Sequence, residues 1–161
     1  MQKIVPNLWF DTEAEEAANF YVSVFENARI LNVTHYTEAA PRQAGMVMTV
    51  EWELEGQRFV GINGGPQFKF DEAVSFQIEC KDQAEVDYYW EKLTADGGKE
   101  GQCGWVTDKY GLAWQVTPAG IDELFADSDP ERGRRAMEAM LKMGKLDVNA
   151  LRAAADGGDG S

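Results

Sequence analysis

The stretch Thr12-Glu13-Ala14-Glu15-Glu16-Ala17-Ala18-Asn19-Phe20-Tyr21-Val22-Ser23-Val24-Phe25 opens on a Thr followed three residues later by a Glu, the pairing of a helix capping box. Ala14, Ala17, Ala18, Tyr21, Val24 and Phe25 then recur at helical spacing. The arrangement returns 70 residues later: Asp82-Gln83-Ala84-Glu85 is a second box, followed by the apolar face Val86, Tyr89, Trp90 and Leu93. The two faces match at an offset of 69, as in Ala17 and Val86, Tyr21 and Trp90, Val24 and Leu93. A period of this length marks a chain built from two copies of one supersecondary unit.

Working outward from each helix gives the unit. Ile4–Phe10 is an apolar run ahead of the first helix and reads as a strand. Beyond the helix, Arg29–Tyr36 is rich in β-formers. Met46, Met48, Val50, Trp52 and Leu54 then alternate with Val47, Thr49, Glu51 and Glu53, the period of a half-buried strand. Glu55-Gly56 suits a hairpin turn into Gln57–Asn63, and Gly64-Gly65-Pro66 ends the half. In the second half Val74, Phe76, Ile78 and Cys80 alternate with Ser75, Gln77 and Glu79 ahead of the helix, which Gly97-Gly98 stops. Lys99–Gly104, Trp105–Thr107, a turn at Asp108-Lys109-Tyr110-Gly111 and Leu112–Pro118 complete it. The expected fold is therefore α+β: tandem βαβββ modules over about 1–66 and 71–120, in one domain of residues 1–120. A helical extension over 121–156 follows, with Pro130 at a first helical position, an apolar stripe of Ala136, Met137, Met140, Leu141 and Met143, and a short helix near Leu146–Leu151. Residues 157–161 are expected to fray.

Composition narrows the partners. The net charge of −13, from 28 acids against 15 bases, repels polyphosphates, and no Lys/Arg cluster offsets it. Nucleic acid and anionic membranes are not expected partners. No apolar run approaches the roughly 20 residues of a membrane span, and Met1–Pro6 has no signal-peptide core, so a cytoplasmic address is expected. Cys80 and Cys103 form neither a disulfide framework nor a C-x-x-C pair.

Six motifs carry a family resemblance: Phe20-Tyr21, Asn63-Gly64-Gly65-Pro66, Ser75-Phe76-Gln77, Tyr89-Trp90-Glu91-Lys92-Leu93, Gly101-Gln102-Cys103-Gly104-Trp105 and Asp108-Lys109-Tyr110-Gly111. Together, over about residues 3–156, they resemble the PhnB-like branch of the vicinal-oxygen-chelate superfamily, the group of glyoxalase I and the bleomycin-resistance proteins. Members of that branch often carry the name 3-demethylubiquinone-9 3-methyltransferase. The resemblance implies two βαβββ modules, a homodimer, and in the superfamily's enzymes a divalent metal held by two His and two Glu. The corresponding positions here are approximately Val5 to Asn7, Asn63, Ser75 and Gln115, which carry no imidazole and no carboxylate. Amides and hydroxyls bind such ions far more weakly. His35 is the one histidine in the chain and reads as a surface or structural residue. Neither a metal nor another cofactor is expected. Methyl transfer from S-adenosylmethionine is disfavoured too: no Gly-rich turn joins a strand to a helix, and Gly61-Ile62-Asn63-Gly64-Gly65 runs into Pro66.

Strand alternation then assigns a candidate site. If each strand's apolar set packs on the helices, the other set lines a cup. The candidate ligand-binding residues are Asn7, Trp9, Glu51, Asn63, Gln77, Cys103, Trp105 and Gln115. Within a closed cup Glu51 would suit a general base; an exposed strand Glu beside Glu53 is the plainer reading. Cys103 has no nearby histidine to activate it, which favours a structural or pocket-lining role. The expected function is a metal-independent small-molecule-binding protein. The alternatives are an enzyme of the superfamily (a lyase, an isomerase, a dioxygenase or the named methyltransferase) and a protein-interaction module using the tail.

Overall fold

Alternation along Val47–Leu54 becomes a strand with one face sealed: Val50, Trp52 and Leu54 are buried, while Thr49, Glu51 and Glu53 are half-buried on the other side. The computed structural model describes residues 2–158. Of the expected frayed tail, residues 159–161 lie outside the described residues. The chain divides between Phe70 and Asp71 into two units. The helical extension falls within the second unit.

The first module runs β1 (Asn7–Phe10), α1 (Ala14–Val24), β2 (Ala28–His35), β3 (Val47–Leu54) and β4 (Gln57–Asn63). Its sheet has the order β1-β4-β3-β2, with β1 parallel to β4 and the other pairs antiparallel. Helix α1 packs on β2, β3 and β4. Ala14, Ala17 and Ala18 let its backbone approach the sheet, and Tyr21 stacks on Trp52, which stacks in turn on Phe59 at centroid separations of 6.0 and 5.8 Å. Gly61 sits beneath this contact: a Cβ there would lie 3.0 Å from the Trp52 ring and 3.2 Å from the Ala14 methyl. Trp52 is fully buried, and among the described residues its indole N–H has no hydrogen-bond partner.

The second module repeats the order: β5 (Ser75–Cys80), α2 (Gln83–Thr94), β6 (Lys99–Glu100), β7 (Trp105–Thr107) and β8 (Ala113–Pro118). The sheet order is β5-β8-β7-β6, again with a parallel pair, β5 and β8, closing the unit. Val86, Tyr89, Trp90 and Leu93 of α2 are buried, the face expected from the sequence. The extension adds α3 (Ile121–Phe125), α4 (Pro130–Met140) and α5 (Val148–Ala155) around a cluster of Ile121, Leu146 and Leu151. Asp129 caps α4 by accepting the Glu131 N–H at 3.0 Å, just ahead of Pro130. Of the expected α4 stripe, Ala136 is buried and Met140 packs on the cluster, whereas Met137 and Leu141 are exposed. Arg135 donates to the last carbonyls of α5, at Ala154 and Ala155.

Three contacts latch the extension to its module. The Gln83 amide donates to the Leu146 carbonyl (3.0 Å) and accepts from the Val148 N–H (2.8 Å). The N–H groups of Cys103 and Gly104 donate to the carbonyls of Met143 and Gly144, each at 2.8 Å. Lys145 pairs with Asp87 at 2.8 Å. Among the described residues no helix is long and apolar enough to cross a membrane.

Candidate functional site

Ladder register decides which side chains share the sheet face turned away from the helix. In the first module Asn7 pairs with Val60, Trp9 with Ile62, Thr49 with Ile62 and Glu51 with Val60, so Asn7, Trp9, Thr49 and Glu51 lie on one face. Asn7 is exposed and its amide folds back to the Val5 carbonyl (3.0 Å). Trp9 is half-buried; its Nε1–H donates to the Gly65 carbonyl (2.9 Å) and its ring meets Phe68 edge-on at 5.0 Å. The ring also packs against Gly64, where any Cβ would sit 2.2 Å from it. Thr34 and Thr49 share a hydroxyl contact of 2.6 Å, and Glu51 pairs with Arg58 at 2.6 Å. Glu51 is thus ion-paired on a half-exposed face and is not enclosed in a pocket.

Asn63 requires a correction. It pairs with Phe10 across the β1–β4 ladder and belongs to the face of Phe59 and Gly61, which packs on α1. It is 2% exposed. Its Oδ1 accepts the Ala14 N–H at 2.9 Å, its Nδ2 donates to the Val47 carbonyl at 3.0 Å, and its own carbonyl accepts the Tyr36 hydroxyl at 2.7 Å. Asn63 therefore caps α1 from the far end of the module. The expected cap by Thr12 is absent: no side chain of the helix's own N-cap position bonds its first turn. Asn63 faces the helix and not the cup, because β4 carries Phe59, Gly61 and Asn63 inward as one parity.

In the second module Gln77 pairs with Gln115 across β5 and β8, and Trp105 with Gln115 across β7 and β8. These three lie side by side on the face away from α2, together with Ser75, whose hydroxyl accepts from the Gln115 amide at 2.9 Å. Gln77 is exposed; Ser75, Trp105 and Gln115 are half-buried. Cys103 departs from the parity expected of it. Strand β7 begins at Trp105, and Cys103 occupies a turn with φ of 57° just before it. Its N–H is spent on the Met143 carbonyl, so strand alternation does not place its side chain beside Trp105. Cys80 is fully buried, and burial pushes its thiol up to about 12, with the nearby Glu85 charge adding to the effect. His35 is exposed at the end of β2.

Sequence reading missed Asp108. It is 2% exposed, and its carboxylate accepts from the N–H groups of Tyr110 (2.9 Å) and Leu112 (3.1 Å) and from the Trp114 indole (2.9 Å). The signal was present: an Asp opening a Gly-containing turn bonds the N–H two residues on.

These groups can stack and hydrogen-bond a ligand; they do not assemble an activated nucleophile. The comparisons agree with the architecture. The profile of the 3-demethylubiquinone-9 3-methyltransferase family matches residues 2–117. The chain belongs to that family. A PhnB protein from Bacillus cereus, described as a putative 3-demethylubiquinone-9 3-methyltransferase, is 35% identical, with a TM-score of 0.67 over 73% of this chain and 100% of its own. A protein of known structure from Pseudomonas aeruginosa matches at 19% identity and a TM-score of 0.60, over 73% of this chain and 98% of its own, which bears on the fold alone. A fosfomycin-resistance protein from Listeria monocytogenes, complexed with Mn(II) and sulfate, matches at 17% identity and a TM-score of 0.47, over 71% of this chain and 90% of its own. No curated protein matches the chain. The resemblance to the vicinal-oxygen-chelate superfamily implies a divalent-metal site. The donor set here does not fit one. Asn63 is committed inward, Gln115 and Ser75 bond each other, and among the described residues no group of three or more His, Cys, Asp or Glu side chains is placed to hold an ion.

Proposed function

We propose that this PhnB-like chain is a metal-independent small-molecule-binding protein, and that in each module the ligand-bearing surface is the sheet face turned away from the helix. The carrying observation is the row Gln77, Gln115 and Trp105 on adjacent strands of the second module, an aromatic plane beside paired amide and hydroxyl groups. Such a surface suits a small planar ligand with polar substituents, stacked on the indole and bonded by the amides. Asn7, Trp9 and Glu51 are the corresponding residues of the first module. A homodimer in the cytoplasm belongs to the same reading, supported by the terminal strands that each four-stranded sheet leaves for pairing.

The test is a tryptophan-fluorescence titration of chelator-dialysed protein against a panel of quinones and other aromatics. Saturable quenching that survives metal removal and weakens by about tenfold or more in Trp105→Ala and Gln115→Ala is the expected result. Binding that requires added Mn(II), Ni(II) or Zn(II), or methyl transfer from S-adenosylmethionine to a panel member, would replace this reading with an enzymatic one. Sedimentation at micromolar concentration checks the dimer; a monomer alone removes it.

A further inference from the structure

All ten residues around one cavity of about 280 Å³ lie beyond the family match, which ends at residue 117. The whole Bacillus cereus chain aligns with 73% of this one, so about a quarter of this chain has no counterpart there. The cavity forms where the end of β8, at Pro118, turns into α3 and meets α5. It stands apart from the sheet faces described above, and it owes its walls to the extension.

The lining divides by chemistry. Ile121 and Leu151 are buried and Leu124 and Val148 half-buried, an aliphatic floor continuous with the cluster that holds the extension together. Glu123, Asp127 and Arg152 supply the charge. Asp127 is already satisfied: it accepts the Asp129 N–H at 2.9 Å and pairs with Arg132 at 3.1 Å, contacts that, in that order, hold its carboxyl below the usual range. Glu123 and Arg152 are exposed, and among the described residues neither side chain is engaged in a hydrogen bond or ion pair. The free charges on the lining are thus one carboxylate and one guanidinium beside an aliphatic floor.

We infer that this cavity is a binding site for a small zwitterion with an apolar side chain, an aliphatic or aromatic α-amino acid. The ligand's carboxylate meets the Arg152 guanidinium, whose fork of N–H donors matches a carboxylate edge. Its ammonium meets Glu123, and its side chain covers Ile121, Leu124 and Leu151. The charge balance decides against the two simpler classes. An apolar amine would leave Arg152 facing the ligand without a partner, and an apolar acid would leave Glu123 so. The volume, just below the roughly 300–1,000 Å³ of small-molecule pockets, decides against larger ligands.

The full chain is titrated by calorimetry with L-leucine and L-phenylalanine, and in parallel with 4-methylpentanoate and 3-methylbutylamine. These two keep the apolar group but lack the ammonium and the carboxylate respectively. Saturable millimolar or tighter binding of an amino acid, at least about tenfold stronger than either analogue, is expected. Arg152→Ala and Glu123→Ala should each weaken it by about tenfold with the fold intact by circular dichroism, since neither side chain holds the structure. Methyl NMR should show the shifts at Ile121, Leu124, Val148 and Leu151. The inference is overturned if neither amino acid binds, if either analogue binds as well, if both variants bind like the parent, or if the shifted methyls lie elsewhere. Ligand binding at the sheet faces passes or fails separately, through the quinone titration and Trp105.

Discussion

Helix α1 of the first module is capped by Asn63, 49 residues away on β4, whereas α2 of the second is capped by Asp82, three residues from the N–H it accepts at 2.9 Å. The modules share a topology, yet they close their cores with different chemistry. The first uses a neutral amide that donates and accepts at once, and leaves the Trp52 indole N–H unpaired. The second buries a carboxylate, Asp108, and pairs the Trp114 indole with it. A βαβββ unit therefore fixes where its strands go but not which groups satisfy the polar atoms trapped at its ends. Repetition of a fold does not imply repetition of its hydrogen bonds.

The largest effect expected from this contrast is at Asp108. Asp108→Ala strands two backbone N–H groups and an indole N–H in a buried site, each worth about 1–3 kcal/mol when left unsatisfied. Urea unfolding should show a loss of about 3–5 kcal/mol. A loss below about 1 kcal/mol would mean that water replaces the carboxylate and that the buried acid is not what closes the second module.

Asn63→Ala comes next, at about 2–3 kcal/mol, because one substitution removes both a helix cap and the partner of the Val47 carbonyl. Asn63→Asp sharpens the point: it keeps an acceptor at the positive end of α1 but turns an oxygen toward the Val47 carbonyl, so it should remain destabilising. If Asn63→Asp matches the parent in a melting experiment, the donated bond contributes nothing and the contrast reduces to capping alone. Asp82→Ala should cost only about 1 kcal/mol, the ordinary worth of an exposed local cap. Equal losses at Asp82 and Asn63 would erase the distinction between local and long-range closure.

This contrast also explains what was legible in the sequence. The β3 and β5 alternations, the two helix faces and the Asp82 cap are local patterns, and each is found in the fold. Thr12-Glu13-Ala14-Glu15 has the letters of a cap but not its role, because a strand residue reaches the helix end first. Strand β4 misled for a related reason. Its Val60 and Ile62 are as apolar as Phe59, and its inward position 61 is a glycine, so residue types do not reveal which parity is inside. Trp9, Glu51, Gln77, Trp105 and Gln115 sit on strands whose alternation is clear or whose partners fix it, and their ladder partners put them on the faces turned away from the helices. Cys103 sits in a Gly-flanked turn where alternation has no meaning. The cavity of the extension depends on residues 118–127 and 148–152 meeting in space, which no periodicity encodes.

The smallest effect concerns how the extension is fastened, a device the first module lacks. Lys145 and Asp87 form an exposed pair at 2.8 Å, and the Gln83 amide also donates to Asp87 while gripping Leu146 and Val148. The Lys145 ammonium, and after it the Gln83 amide, hold the Asp87 carboxyl below its usual range. A carboxyl depressed in the folded state contributes stability that is fully present above its unfolded value of about 3.9 and disappears as pH falls through the folded value. Asp87→Asn should therefore melt slightly below the parent at neutral pH, with the gap closing on acidification below the carboxylate range. Because both side chains are exposed, salt should narrow the neutral-pH gap as well. Scanning melting temperature against pH for parent and variant, at low and high salt, measures this directly. A gap that persists in acid would assign the fastening to the Gln83 amide, which does not titrate, and would leave the Lys145 pair no part in holding the extension to its module.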